Sequence, residues 1–265
     1  MRTGSDLLAD IDNLALKPGA LAFWWWGQMS YVVKMGGKIL YFDPYLAPNA
    51  ARTVPPLADV ASITHADWVF GSHDHSDHID PVAIKGIAAA SPQARFVCSR
   101  VARKKLLSLD VAPLDDGLSY EGEGIRIAAI AAEHEFFDRD PELGYPHLCY
   151  IVEADGRTIL HLGDTLRYDG MIAKLKKRRF DVMFVPINGR DAQRFARRCW
   201  GNMTYQEAAD MAGALRPGLT VPGHYEMFAN NSQNPTAFAD YMRLKFPDLA
   251  FWIGEHGQAV IVDGR

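Results

Sequence analysis

The densest group of chemistry-bearing side chains is His73-Asp74-His75-Ser76-Asp77-His78, inside the stretch from Gly71 to Asp80. Imidazole and carboxylate are the usual ligands of zinc and similar divalent ions, so a metal site is the chemistry that these residue types suggest. The apolar Trp68-Val69-Phe70 in front reads as a short strand. Asp80-Pro81 behind reads as a helix start, with a carboxylate at the N-cap and proline at the first helical position. The histidines and aspartates are therefore held in one strand-to-helix turn. His73 and His75 are two residues apart, and on an extended backbone that puts both rings on the same side.

Three further residues share this setting. His134 follows an alternating run from Glu123 to Ala131, Asp164 follows Arg157 to Leu162, and His224 follows Leu219-Thr220-Val221. Alone, each reads as an ordinary polar residue, a turn or a cap. Strand ends gather on one edge of an α/β arrangement, so residues distant in sequence can converge there, and next to the turn each becomes a candidate ligand.

The elements that must position them are bipartite. A short amphipathic helix is predicted over about residues 7–16. A β-meander follows: Leu21 to Trp26, Ser30 to Lys34 and Lys38 to Phe42, with a turn at Met35-Gly36-Gly37 and an end at Asp43-Pro44. Trp24, Trp25 and Trp26 read as core residues packed between layers. Residues 46–66, rich in proline and without a period, read as a long loop. Helices are predicted at Pro81–Ala90, Val101–Leu109, Tyr168–Arg178, Thr204–Leu215 (with Thr204 and Glu207 at capping-box spacing) and Pro235–Lys245. Strands are expected at Arg95–Cys98, Leu148–Glu153, Phe180–Pro186, Phe251–Ile253 and Ala259–Val262. A meander followed by α/β units, twice over, predicts two sheets packed face to face with helices outside, a four-layer αββα sandwich in the α/β (α+β) class. No linker or charge block divides the chain, so residues 1–265 are expected to form one domain.

A net charge of −4 argues against a protein built to coat nucleic acid. Cys98, Cys149 and Cys199 lack C-x-x-C spacing, which points away from a disulfide framework and toward a reducing, cytoplasmic setting. The first residues lack a signal-peptide pattern, and no apolar run approaches the roughly 20 residues that span a bilayer.

The motif His73-Asp74-His75-Ser76-Asp77-His78, with His134, with Asp164 in Gly163-Asp164-Thr165 and with His224 in Pro222-Gly223-His224, resembles the metallo-β-lactamase superfamily. The resemblance covers about residues 20 to 262. Within it, Trp26-Gly27-Gln28-Met29-Ser30-Tyr31, the hairpin ending Phe42-Asp43-Pro44 and Asn202-Met203-Thr204 to Glu207 look like the branch containing L-ascorbate-6-phosphate lactonase. The turn from Ser72 to Asp80 also looks like N-acylphosphatidylethanolamine-hydrolysing phospholipase D relatives. The resemblance implies two divalent ions, zinc or manganese: His73, His75 and His134 on the first, Asp77, His78 and His224 on the second, and Asp164 bridging. It further implies a metal-bound hydroxide as nucleophile on a lactone or ester, such as a phosphorylated sugar lactone, with Asp77 orienting it and accepting a proton. Histidine at position 75, where the oxygen-reducing di-iron branch commonly has glutamate, implies hydrolysis.

Arg190, Arg194, Arg197 and Arg198 cluster before the helix at Thr204, and guanidinium groups suit bidentate phosphate binding. They are the candidate substrate-binding residues for a small, phosphorylated molecule; a solvated basic face or a homo-oligomer contact is the other reading. His147 and His256 are candidate pocket residues, and His161 reads as structural. Two alternatives stand beside the lactonase-like hydrolase: a phosphodiesterase or phospholipase D-like enzyme, and a non-catalytic metal-binding protein.

Overall fold

The computed structural model describes residues 1–106 and 109–264. Helix α1 (Gly4–Asn13) leads into strands β1 (Leu21–Gly27), β2 (Ser30–Met35) and β3 (Lys38–Phe42), an antiparallel meander. β4 (Trp68–Phe70), helix α2 (Pro81–Ala90), β5 (Arg95–Ser99) and β6 (Val111–Leu114) continue the same sheet in parallel. The second half repeats this plan. β7 (Ser119–Gly122), β8 (Ile125–Ala131), β9 (Leu148–Ala154) and β10 (Arg157–His161) are antiparallel, and β11 (Val182–Pro186) and β12 (Leu219–Gly223) add in parallel. Helices α3 (Met171–Leu175), α4 (Ala192–Ala196), α5 (Tyr205–Leu215) and α6 (Pro235–Lys245) belong to this half, and β13 (Ala259–Val262) returns to pair with β1. The sheet orders are β13-β1-β2-β3-β4-β5-β6 and β12-β11-β10-β9-β8-β7.

The first sheet is covered on both faces, and the period-two alternation of its strands shows how. Leu21, Phe23 and Trp25 of β1 join Leu40, Phe42, Trp68 and Phe70 in the core shared with the second sheet. Ala22, Trp24 and Trp26 point the other way, with Tyr41 and Val69, onto Leu7 and Ile11 of α1 and Ile84 and Ile87 of α2. The tryptophan run is thus divided between two layers, and burying each ring contributes roughly 2–3 kcal/mol. On the far side, Met211 of α5 and Phe238 and Met242 of α6 close the second sheet, completing the αββα sandwich.

Several predicted elements shift for local reasons. The helix expected over Tyr168–Arg178 shrinks to α3, because Tyr168 donates its hydroxyl to the Ala131 carbonyl at 2.7 Å and the chain turns before Met171. The segment Val101–Leu109 is a 3₁₀ helix over Ala102–Leu106; Leu107 and Ser108 lie outside the described residues. Phe251–Ile253 runs beside β12 through two hydrogen bonds to Thr220 but forms only an isolated bridge. β6, with Pro113 in its run, and the short, polar β7 carry no pattern that predicts a strand. The arginine segment contains α4, capped by the Asp191 side chain on the backbone N–H groups of Gln193 and Arg194. Among the described residues, no helix is long and apolar enough to cross a membrane.

Candidate metal centre

Every candidate ligand stands just beyond a strand: residues 73–78 after β4, His134 after β8, Asp164 after β10 and His224 after β12. They meet at one edge of the sandwich. The potential ligand atoms of His73, His75 and His134 lie within 4.8 Å of one another, as do those of Asp77, His78 and His224, and those of His73, His78 and Asp164. Asp164 stands between the groups. Its Oδ1 is 3.4 Å from His78 Nε2, and its Oδ2 is 3.2 Å from His224 Nε2 and 3.6 Å from His134 Nε2.

Behind each of three ligand rings stands a group that fixes which nitrogen faces the centre. His134 Nδ1 lies 3.1 Å from the Gly201 carbonyl, which requires the proton on Nδ1 and leaves Nε2 a lone pair. His78 Nδ1 lies 2.7 Å from Asp43 Oδ2, and His73 Nδ1 is 3.0 Å from the Ser72 hydroxyl. Asp43 is the hub of this outer layer, since it also accepts from the Ser72 N–H and hydroxyl at 2.7 Å each. Asp77 Oδ2 accepts from the Gln28 amide at 3.1 Å, and the Gln28 carbonyl takes the His224 N–H at 2.9 Å. Carboxylate or carbonyl partners behind ligand histidines are how metal sites orient their ligands. The chain reaches His224 through a close approach: a Cβ on Gly223 would lie 2.6 Å from the Tyr31 hydroxyl oxygen and 2.9 Å from the Gln28 carbonyl oxygen.

The residues fit a cation. His73 Nε2, His78 Nε2 and Asp164 Oδ1 are buried and have no hydrogen-bond partner among the described residues, an arrangement that protein interiors rarely tolerate without a further ligand. Burial pushes the His73 and His75 rings below the usual histidine range, and His134 down to about 4, so these three are neutral, the ligating form. The second group behaves oppositely. Burial would lower His78 and His224, but Asp164 and the neighbouring carboxylates outweigh it and raise both. Burial would likewise raise Asp164 and Asp77, but His224 and His78 outweigh it for Asp164, and chiefly His78 does so for Asp77, so both carboxyls are held low.

A cavity of about 270 Å³ opens on the His75 and His134 side, with His147, Phe136 and Trp200 in its lining. The arginines are divided. Arg190 forks onto Glu207 at 2.6 and 2.8 Å, and Arg194 binds Asp191 at 2.6 Å and the Asn188 carbonyl at 2.7 Å. Arg197 and Arg198 are exposed, and none of the four lines the cavity. His161 is buried against the Met29 carbonyl at 2.8 Å, and His256 stacks on Trp25, away from the centre. Asp43, Ser72, Gln28 and Gly201 are absent from the sequence-predicted site. Asp43, Gln28 and Ser72 share the signal of the candidate ligands, since each comes just after a strand; Gly201 does not.

The description "Beta-lactamase superfamily domain" matches residues 39–225. A UPF0173 metal-dependent hydrolase from Thermococcus kodakarensis is 28% identical over 215 residues, which are 80% of this chain and 88% of the relative. Among solved structures, Igni18, described as a novel metallo hydrolase from Ignicoccus hospitalis, superposes with a TM-score of 0.75 at 20% identity, covering 93% of this chain and 100% of that one. The metallo-beta-lactamase fold protein YhfI from Bacillus subtilis gives a TM-score of 0.66 at 13% identity over 92% of this chain and 100% of its own. At those identities the two structures establish the fold. Because the family match runs from β3 to Tyr225, and so takes in every strand end that carries a candidate ligand, the chain belongs to the beta-lactamase superfamily.

Proposed function

We propose that the chain is a metal-dependent hydrolase that cleaves a carboxylic ester or lactone at a centre of two divalent ions, zinc or manganese. The observation that carries this is the pair of ligand groups with Asp164 within 3.6 Å of His134 on one side and 3.4 and 3.2 Å of His78 and His224 on the other, since a structural site needs only one closed set of four ligands. Divalent ions bound there would polarise the acyl oxygen and bring the pKa of water toward neutrality. In this reading His73, His75 and His134 hold one ion, Asp77, His78 and His224 the other, and Asp164 faces both. Asp77 keeps a free oxygen while Gln28 fixes the other, and its depressed pKa leaves it a carboxylate able to orient the attacking water and accept its proton. The lactone option rests on the resemblance to the lactonase branch, and the names of the curated relatives support a metal-dependent hydrolase. A phosphate on the substrate would be met by Arg197 and Arg198, because Arg190 and Arg194 hold their own loop. Cys98, Cys149 and Cys199 are free thiols, which suits a cytoplasmic setting.

Metal analysis combined with a panel of esters, lactones and phosphodiesters tests the reading. We expect bound divalent metal, turnover on the acyl substrates, and a loss of at least about 100-fold in kcat for Asp77→Asn compared with wild type at equal metal content. Metal-loaded, folded wild type that turns over only phosphodiesters, or nothing, overturns it. Unchanged turnover in Asp77→Asn removes the role given to that residue.

A further inference from the structure

The cavity beside the first ligand group has a character of its own. Among the described residues, Val101, Ala102, Phe136, Pro146 and Trp200 form its apolar wall opposite the three histidines, its acidic groups are Asp74 and Asp138, and no lysine or arginine lines it. Asp74 is paired with Lys105 at 3.5 Å, so that cation is already engaged. Phe136, Phe195 and Trp200 form a cluster with ring centroids 5.8 to 6.1 Å apart, yet Phe136 and Phe195 remain 48% and 45% exposed. Two rings left about half uncovered, Phe136 in the cavity lining and Phe195 beside it, are apolar surface that a ligand can cover.

The cluster is fastened to the metal centre. Gly201 donates its N–H to Glu135 Oε2 at 2.7 Å and accepts from His134 Nδ1 at 3.1 Å, tying the segment that carries Trp200 to the turn that carries His134 and Phe136. A side chain at position 201 would break this seam, since a Cβ there would lie 2.2 Å from the Arg190 Cβ. The wall is thereby preorganised relative to a candidate ligand, and a group lodged in the cavity is held at a fixed distance from the reacting carbonyl.

We infer that this cavity is the subsite for an uncharged, apolar arm of the substrate, an aryl or branched alkyl group on the acyl side of the scissile ester or lactone. The inference rests on the hydrolase reading of the adjacent centre. A volume of about 270 Å³ is below the roughly 300–1,000 Å³ of drug-sized pockets, while a dry cavity of about 150 Å³ already takes benzene, so one ring with a short linker fits. With no lysine or arginine in its lining among the described residues, the cavity offers no cation to a phosphate or carboxylate in the same place. In the reaction, water adds to the acyl carbon, the acyl C–O bond breaks, and the leaving oxygen takes a proton to give an acid bearing the apolar arm and an alcohol.

The test compares methyl esters of acetic, phenylacetic and phosphoglycolic acid on metal-loaded protein, together with ligand-observed NMR of benzyl alcohol. We expect kcat/KM for the phenylacetate to exceed both others by about 10-fold or more. Phe136→Ala and Trp200→Ala should each reduce that ratio severalfold and weaken benzyl alcohol binding, and Trp200→Phe should restore both. Hydrolysis with no preference, a preference for the phosphorylated ester, or a preference untouched by both alanine variants overturns the subsite and leaves the hydrolase standing. Benzyl alcohol binding that depends on Phe136 and Trp200, without hydrolysis of any ester, supports the subsite while the hydrolase reading fails. Neither binding nor hydrolysis overturns both.

Discussion

Asp43 lies outside the candidate ligand set and buttresses it through Ser72 and His78. It is fully buried, sits at φ +43°, and accepts from the Ser72 N–H, the Ser72 hydroxyl and His78 Nδ1. Asparagine tolerates that backbone conformation and nearly keeps the shape, so Asp43→Asn isolates the hydrogen-bond pattern. Its amide oxygen can still take the Ser72 N–H, but its NH₂ would then face His78 Nδ1. Donor against donor favours the other histidine tautomer, with the proton on the Nε2 that faces the centre. We expect Asp43→Asn to weaken divalent metal binding about 10- to 100-fold in competition with a chelator, the range typical of outer-layer partners. Asp43→Ala leaves the Ser72 N–H and His78 Nδ1 without their acceptor and should cost about 1–3 kcal/mol in urea unfolding as well. Wild-type metal affinity in Asp43→Asn would remove Asp43 from this role.

At the scale of elements, one carboxylate joins helix α5 to the arginine segment. Thr204 Oγ1 accepts the Glu207 N–H at 3.2 Å, Glu207 Oε2 accepts the Thr204 N–H at 2.9 Å, and the same carboxylate binds Arg190. Burial would raise the Glu207 carboxyl, but the Arg190 guanidinium and the Thr204 N–H outweigh it and hold it low. A carboxyl depressed by folding stabilises the folded state above its unfolded pKa, and that contribution fades as pH falls through the lower folded value. Thr204→Ala should therefore destabilise by about 1 kcal/mol at neutral pH, and Glu207→Gln should flatten the acid limb of stability against pH, both read from urea midpoints. An acid limb of wild-type slope in Glu207→Gln would deny the pair that role. The capping box was legible because its residues are neighbours in sequence, as were the β1 to β3 meander, the Asp80-Pro81 helix start and the strand-end positions of the candidate ligands. The opposing partners were not. Gln28 meets Asp77 across 49 positions and Gly201 meets Glu135 across 66, and no local spacing records such contacts. The arginines show both cases: Asp191, which engages Arg194, stands only three residues away, whereas Glu207, which engages Arg190, lies 17 positions on and is brought there by the fold.

Over the whole molecule, the centre is where the two sheets meet. His73, His75, Asp77 and His78 follow a strand of the first sheet, and His134, Asp164 and His224 follow strands of the second. Both proposed ion positions draw ligands from both sheets, so an ion there bridges the two halves of the sandwich. Without that bridge, the buried His73 Nε2 has no hydrogen-bond partner among the described residues, and His78 Nε2 faces Asp164 Oδ1 only at 3.4 Å. A ligand that binds only the folded chain adds about 3–4 kcal/mol at 100 to 1,000 times its Kd. For a chain of this size that raises the melting temperature by roughly 6–15 °C. Thermal unfolding of chelator-treated wild type, with and without zinc or manganese, should show that increase. Asp164→Asn should lose most of it, because Asp164 faces both groups and an amide there carries no charge. Arg190→Ala should retain it, since Arg190 lies in the outer segment on Glu207. Equal melting temperatures with and without metal at saturation would mean that the ion does not join the sheets, and an undiminished increase in Asp164→Asn would place the binding site elsewhere.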